Sequence, residues 1–151
     1  MASIHLVRNH AFTRDLREDQ IARLASLGAN AVFDREDIIL RDGQRSQSFY
    51  LIVAGSVAVE LHHQAFIVCV QALGPDEAFG WSALLEHQDT VFQVRARERT
   101  MAVRFDGVDL NDAFHADPNL GVEFLRRTLK VVAGRVKATE VKFAEMCGVR
   151  L

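Results

Sequence analysis

Cysteine, proline and tryptophan are scarce in this chain, with two cysteines, two prolines and one tryptophan among 151 residues. Cys69 and Cys147 stand far apart, so no disulfide framework is available; the pattern predicts a chain of the reducing cytoplasm, with each cysteine packed as a small buried hydrophobe. Long apolar runs are missing too. The longest, Phe49 to Val59, is broken by Gly55 and Ser56 and falls far short of the roughly 20 residues that cross a bilayer. The opening Met1-Ala2-Ser3-Ile4-His5 lacks the basic start and apolar run of a secretory signal. No charge of one sign dominates, and the net value is −2. Its distribution is uneven: Leu120 to Leu151 holds seven Arg and Lys against three Asp and Glu, and the rest eleven against seventeen. Without interleaved aromatics or a recognition helix, that basic segment reads as a solvated helix face rather than a nucleic-acid surface. What is present, 49% hydrophobic and 25% charged residues, suits one domain with an ordinary core.

Periodicity divides the chain. Leu16, Ile21, Leu24 and Leu27 lie at near-helical spacing, which predicts an amphipathic helix over 13–27 with Thr13 or Asp15 as cap and Gly28 as stop. From Ala31 the pattern changes to short β-type runs: Val32-Phe33, Ile38 to Leu40, Ser48 to Ala54, Ser56 to Leu61, Phe66 to Leu73, Val91 to Ala96 and Thr100 to Phe105. Turn signals at Asp42-Gly43, Gly55, Gly74-Pro75-Asp76 and Asp106-Gly107 separate them, and strands so short and closely spaced predict a sandwich or β-roll. Beyond Gly107 the chain reads as helical, with Asp117 capping a helix that opens at Pro118 and runs to about Cys147. Within it Leu125, Leu129, Val132, Val136, Thr139, Phe143 and Met146 alternate by four and three, the spacing of a coiled-coil seam. Two readings stand: a helix lying across its own β-roll, or a homodimer seam. Past Val136 no strand remains to cover Phe143 and Met146, which favours the second.

The stretch Glu77-Ala78-Phe79-Gly80-Trp81-Ser82-Ala83-Leu84-Leu85-Glu86 is the candidate site. Gly80 marks a sharp bend, Ser82 is a candidate N-cap, and Ala83 to Leu85 form one helical turn whose free N–H groups offer an anion site. The competing reading is a strand-to-turn junction filling the core. His62-His63 prompts a metal check, but adjacent strand residues face opposite ways and no carboxylate or cysteine stands at ligand spacing, so a solvated hairpin tip is expected and no metal. Ser82 and His87 make a poor nucleophile pair, with only Glu86 and Asp89 nearby as orienting acids, and a cupin-type metal enzyme lacks its His/Glu cluster. No catalytic residue is assigned.

Several motifs together resemble the cyclic-nucleotide-binding domain of the catabolite activator protein family. The run Ile39-Leu40-Arg41-Asp42-Gly43-Gln44, then Phe49-Tyr50-Leu51-Ile52, Gly55 and the alternating Val57 and Val59, is similar to the family's strand, glycine turn and following strands. Leu73-Gly74-Pro75 and Phe79-Gly80 resemble the lead-in to its phosphate-binding cassette, and Val94-Arg95-Ala96 the strand after it. The resemblance runs from about Phe12 to Val141. It implies a mainly β fold with flanking helices: an eight-stranded antiparallel β-roll or jelly roll, cupin-like, with an N-terminal helix and a long C-terminal helix. One domain is expected over 1–151, helical over 1–30, a β-roll over 31–106 with its cassette at 77–91, and helical again over 107–148.

By the same resemblance the ligand residues are Phe79, Gly80, Trp81, Ser82, Ala83, Thr90 and Val91. The family's two main side-chain partners are absent. A glutamate that holds the ribose hydroxyl is replaced by Trp81, and an arginine that pairs with the cyclic phosphate by Thr90. Arg95 matches a different family arginine, outside the cassette. Trp81 admits three readings: a core aromatic, a filler of the nucleotide pocket, or a stacking face for another flat or apolar ligand. The expected function is a non-catalytic sensory or regulatory domain that binds cyclic AMP or GMP weakly or not at all, or another small anionic or flat ligand. The alternative is a degenerate domain acting in dimerisation or protein docking. Family members that regulate transcription carry a helix-turn-helix after the long helix; the chain stops at Leu151, so direct DNA binding is not expected.

Overall fold

The strand Ser48–Ala54 is apolar on both faces, and that sets its place at the centre of the molecule. Residues 1–86 and 89–150 are described by a computed structural model. It contains β1 (Ala29–Phe33), β2 (Ile38–Leu40), β3 (Ser48–Ala54), β4 (Val57–His63), β5 (Phe66–Leu73), β6 (Ala78–Phe79), β7 (Gln93–Ala96) and β8 (Thr100–Asp106). These pair antiparallel in two four-stranded sheets, β1-β8-β3-β6 and β2-β7-β4-β5. Successive side chains on a strand point to opposite faces. Tyr50 and Ile52 of β3 therefore meet Val57, Val59, Leu73, Phe79 and Val94 between the sheets, while Phe49 and Leu51 face a second core beneath the helices. This is the expected eight-stranded jelly roll.

Four helices cover that second core: α1 (Ile4–Asn9), α2 (Glu18–Leu27), α3 (Gly107–Ala116) and α4 (Pro118–Met146). Phe49 stands 5.4 Å from Phe12 and 5.1 Å from Phe124, and Phe124 lies 5.0 Å from Phe114, all tilted. Such aromatic pairs add about 0.5–1.5 kcal/mol each beyond their burial. Arg127 of α4 donates to the carbonyls of Phe12 (2.8 Å) and Arg14 (2.6 Å), tying the N-terminal segment to the last helix.

Some expectations need correction. The helix predicted over 13–27 starts only at Glu18, because Asp15 has φ 68°, a left-handed conformation that no α-helix continues through. Leu16 packs on the core ahead of the helix. α1 has no counterpart in the sequence reading, since six residues are too few to display a period. Gly28 ends α2 with φ −78°, so conformational freedom is not its use; a Cβ there would stand 2.8 Å from Val103 Cγ1. Both cysteines are exposed rather than buried: Cys69 lies on the edge strand β5 and Cys147 at the end of α4.

The docked face of α4 carries Leu120, Phe124, Thr128, Val131 and Arg135, one stripe at spacings of four, four, three and four. One residue round the helix lies the predicted seam. Leu125, Leu129, Val136, Phe143 and Met146 are exposed, Val132 and Thr139 half-buried, and the Thr139 hydroxyl donates to the Arg135 carbonyl. No described helix is long and apolar enough to cross a membrane.

Candidate ligand site

Gly80 turns the chain out of β6 with φ 84°, and a Cβ at this position would stand 2.5 Å from the Ser48 carbonyl oxygen. Left-handed backbone pressed against a neighbouring strand leaves room for glycine alone. A 3-10 turn, Trp81–Leu84, follows with Gly80, not Ser82, as its N-cap, and Leu85 lies outside it. The N–H groups expected to await an anion are partly used: that of Ala83 donates to Gly80 O at 3.1 Å. Four residues of 3-10 turn also sum too few peptide dipoles to make an anion site alone.

A cavity of about 140 Å³ lies beside the turn, lined by Gly80, Trp81, Ser82, Thr90, Val91 and Phe92, with Leu40, Val94, Asp89 and Arg135. Five of the seven sequence-predicted ligand residues thus share one cavity. Phe79 does not line it; it is fully buried and stacks on Tyr50 at 4.7 Å between the sheets. Ala83 does not line it either, because its carbonyl abuts Gly107 at the start of α3. Thr90 stands at the rim with its hydroxyl donating to the Phe92 carbonyl at 2.8 Å, so that proton is already committed. Trp81 is half-buried and packs against the core under the helices while also walling the cavity. His87 lies outside the described residues, so the Ser82–His87 pairing is not described.

The other charged groups named from the sequence are engaged elsewhere. Arg95 grips Glu60 through two hydrogen bonds, Nε to Oε1 at 3.1 Å and Nη2 to Oε2 at 2.9 Å, and reaches Glu36 at 3.0 Å. Burial pushes the Glu60 carboxyl up, but the bonds from Arg95 and Gln93 outweigh it and hold Glu60 below the usual carboxylate range. His63 stacks on Phe66 at 4.9 Å across the β4–β5 hairpin, and His62 comes within 3.9 Å of Asp42. Among the described residues no group of three or more His, Cys, Asp or Glu could hold a metal ion.

Sequence reading missed Arg135. Its position on the α4 stripe, continuing Leu120, Phe124, Thr128 and Val131, was the available signal. The side chain is only 8% exposed, its Nε donates to Gln71 Oε1 at 2.8 Å, and its guanidinium carbon lies 5.7 Å from the Phe92 ring centroid. Desolvation by burial lowers its pKa to about 10, which leaves it cationic at neutral pH. A larger notch of about 720 Å³ opens between the N-terminal segment and α4. There Arg14, Arg126 and Lys130 face Asp15, Asp76 and Glu123, so opposed charges leave no field favouring a ligand of either sign.

A family model described as the cyclic nucleotide-binding domain matches residues 31–117, more than half of the sequence. The chain belongs to this family. Its fold is likewise that of a cyclic nucleotide-binding protein of Geobacter metallireducens, with a TM-score of 0.77 at 20% identity over 90% of this chain and 99% of that one. The regulatory subunit of a Trypanosoma brucei protein kinase A, described as cAMP-independent, gives a TM-score of 0.72 at 20% identity over 95% of this chain and 50% of that one. A Rhodopseudomonas palustris protein described as a potassium channel is 27% identical over 120 residues, 80% of this chain. The chain spans 28% of that relative's length. Within this family's fold, the bend at Gly80 and the cavity beside it bring Trp81 and Thr90 to one wall.

Proposed function

We propose that this cyclic nucleotide-binding domain is a non-catalytic regulatory module whose cassette binds cyclic AMP and cyclic GMP weakly or not at all. The observation that carries this is the cavity itself, about 140 Å³ against the roughly 300–1,000 Å³ of small-molecule sites, with Trp81 in its wall. Two missing charge-assisted hydrogen bonds would cost about 3–6 kcal/mol if additive, enough to turn micromolar binding into millimolar or weaker. The Trypanosoma brucei regulatory subunit supports the reading by analogy. A variant of that protein with a threonine changed to arginine, alongside glutamate-to-alanine and valine-to-alanine changes, is described as bound to cAMP.

Titration with cyclic AMP or cyclic GMP, followed by the emission of Trp81, the single tryptophan, should show no saturating change below about 1 mM. Saturation in the micromolar range would overturn the reading. In calorimetry, the double variant Trp81→Glu, Thr90→Arg should bind cyclic AMP at least about ten-fold more tightly than the parent.

A second reading is favoured by the exposed stripe on α4, where Leu129 is 66% and Phe143 69% exposed at heptad spacing. Apolar side chains so arranged fit a parallel copy of the same helix, making the domain a homodimer or a docking module for a protein partner. The two readings are compatible, because α4 carries both the cavity-facing Arg135 and the stripe.

A further inference from the structure

A guanidinium removed from water normally meets a carboxylate or several oxygen acceptors, since an unpaired buried charge is costly. Arg135 meets neither. It is more than nine-tenths buried, and among the described residues the neutral Gln71 Oε1 is the one acceptor it reaches. No carboxylate of the described residues lies within ion-pairing distance of it; Asp89, which shares the cavity wall, is exposed. The Gln71 bond uses Nε, while the guanidinium carbon lies over the Phe92 ring. The Nη groups bond to no acceptor among the described residues and, no buried side-chain nitrogen there lacking a partner, they keep access to solvent; Arg135 itself lines a cavity whose wall is otherwise largely apolar.

We infer that Arg135 is the anion-binding group of this cavity, supplying from the final helix the positive charge that Thr90 does not supply from the cassette, and that the ligand is a small oxyanion. The planar guanidinium matches two oxygens of a phosphate or carboxylate, and Arg135 is held in one orientation by Gln71 and Phe92, so little freedom is lost on binding. The volume of about 140 Å³ suits a phosphate or short carboxylate better than a whole nucleotide. Because Arg135 belongs to α4, the anion would bridge the cassette to the helix that carries the exposed stripe. Occupancy would then bias the position of that helix.

The inference rests on the cassette cavity being the ligand site, but its test is independent of cyclic nucleotide. Inorganic phosphate and, separately, acetate are titrated into the intact chain at constant ionic strength set with chloride, with melting temperature and Trp81 emission as readouts. At least one of the two should raise the melting temperature and shift the emission with saturation, and which of them does so assigns the ligand as phosphate-like or carboxylate-like. Arg135→Met should lose that response while remaining folded, and Arg135→Lys should bind about ten-fold more weakly. If Arg135 only tethers α4 to β5, Arg135→Met lowers the melting temperature equally with and without anion, and the inference is overturned. The same follows if neither probe gives a saturating response beyond the chloride-matched control, or if the response survives in Arg135→Met. Micromolar cyclic AMP binding would defeat the weak-nucleotide reading and leave this result to stand or fall on Arg135→Met.

Discussion

His10 shows how a single side chain ties the N-terminal segment to the β-roll. It is 4% exposed, Nε2–H donates to the Ile52 carbonyl at 2.8 Å, and Nδ1 accepts from the Phe12 N–H at 3.1 Å. Both nitrogens are used only by the neutral ring, and burial lowers its pKa against smaller opposing contributions from Ile52 and Asp76. The unfolded chain takes up a proton that the folded chain resists. Stability should therefore fall as pH drops below about 6.5 and level off beneath the lowered folded value, with a slope of at most about 1.4 kcal/mol per pH unit. Urea midpoints of the parent and His10→Asn between pH 8 and 5 would check this, the variant lacking that component of the slope. Gly80 makes a comparable residue-scale demand. Gly80→Ala places an L side chain at φ 84° with its Cβ 2.5 Å from Ser48 O. A loss of more than about 1 kcal/mol is expected in the same urea assay, since left-handed backbone alone costs about 1–2 kcal/mol.

Helix caps decide where the β-roll hands over to its helical cover. Asp106 ends β8 and accepts from the N–H groups of Val108 at 2.9 Å and Asp109 at 3.1 Å, so one carboxylate satisfies two donors at the start of α3. Asp106→Ala should cost about 1 kcal/mol in chemical denaturation, whereas Asp106→Asn should retain most of that stability. Asp117 does the same for α4, accepting from Leu120 N–H at 3.2 Å, with Pro118 opening the helix. The seven strands read from alternation and turn residues are present, with Ser48–Ala54 and Phe66–Leu73 at the bounds expected. β6, of two residues, is too short to carry a pattern, and it exists because Ala78 and Phe79 pair with Leu51 and Tyr50.

At the scale of the molecule, α4 is the one element that belongs to everything proposed. Its stripe through Leu120, Phe124 and Val131 packs on the helical core, Arg135 closes the cassette cavity, and Leu129, Val136, Phe143 and Met146 face outward. Phe143→Glu places a charge in the outward stripe without touching the core. If α4 pairs with a second copy, the parent should sediment as a dimer at tens of micromolar and the variant as a monomer. A monomeric parent would remove the homodimer and leave the ligand cavity unaffected.

Local chemistry was legible in the sequence. Alternation, glycine turns and the Asp117-Pro118 helix start each act within a few residues, so they determined strands, turns, the last helix and the family resemblance. The same locality made Trp81 and Thr90 visible as departures. Packing decided the rest. Phe79 looked like a ligand residue because it neighbours Gly80, yet the pleat of β6 turns it between the sheets onto Tyr50. Arg135 stands 45 positions beyond Thr90 in the sequence, and only the crossing of α4 over the β-roll brings the two to one cavity. A charge reaching a site from a distant helix leaves no spacing to read, because its position is set by the tertiary contacts of that helix and not by its neighbours in the chain.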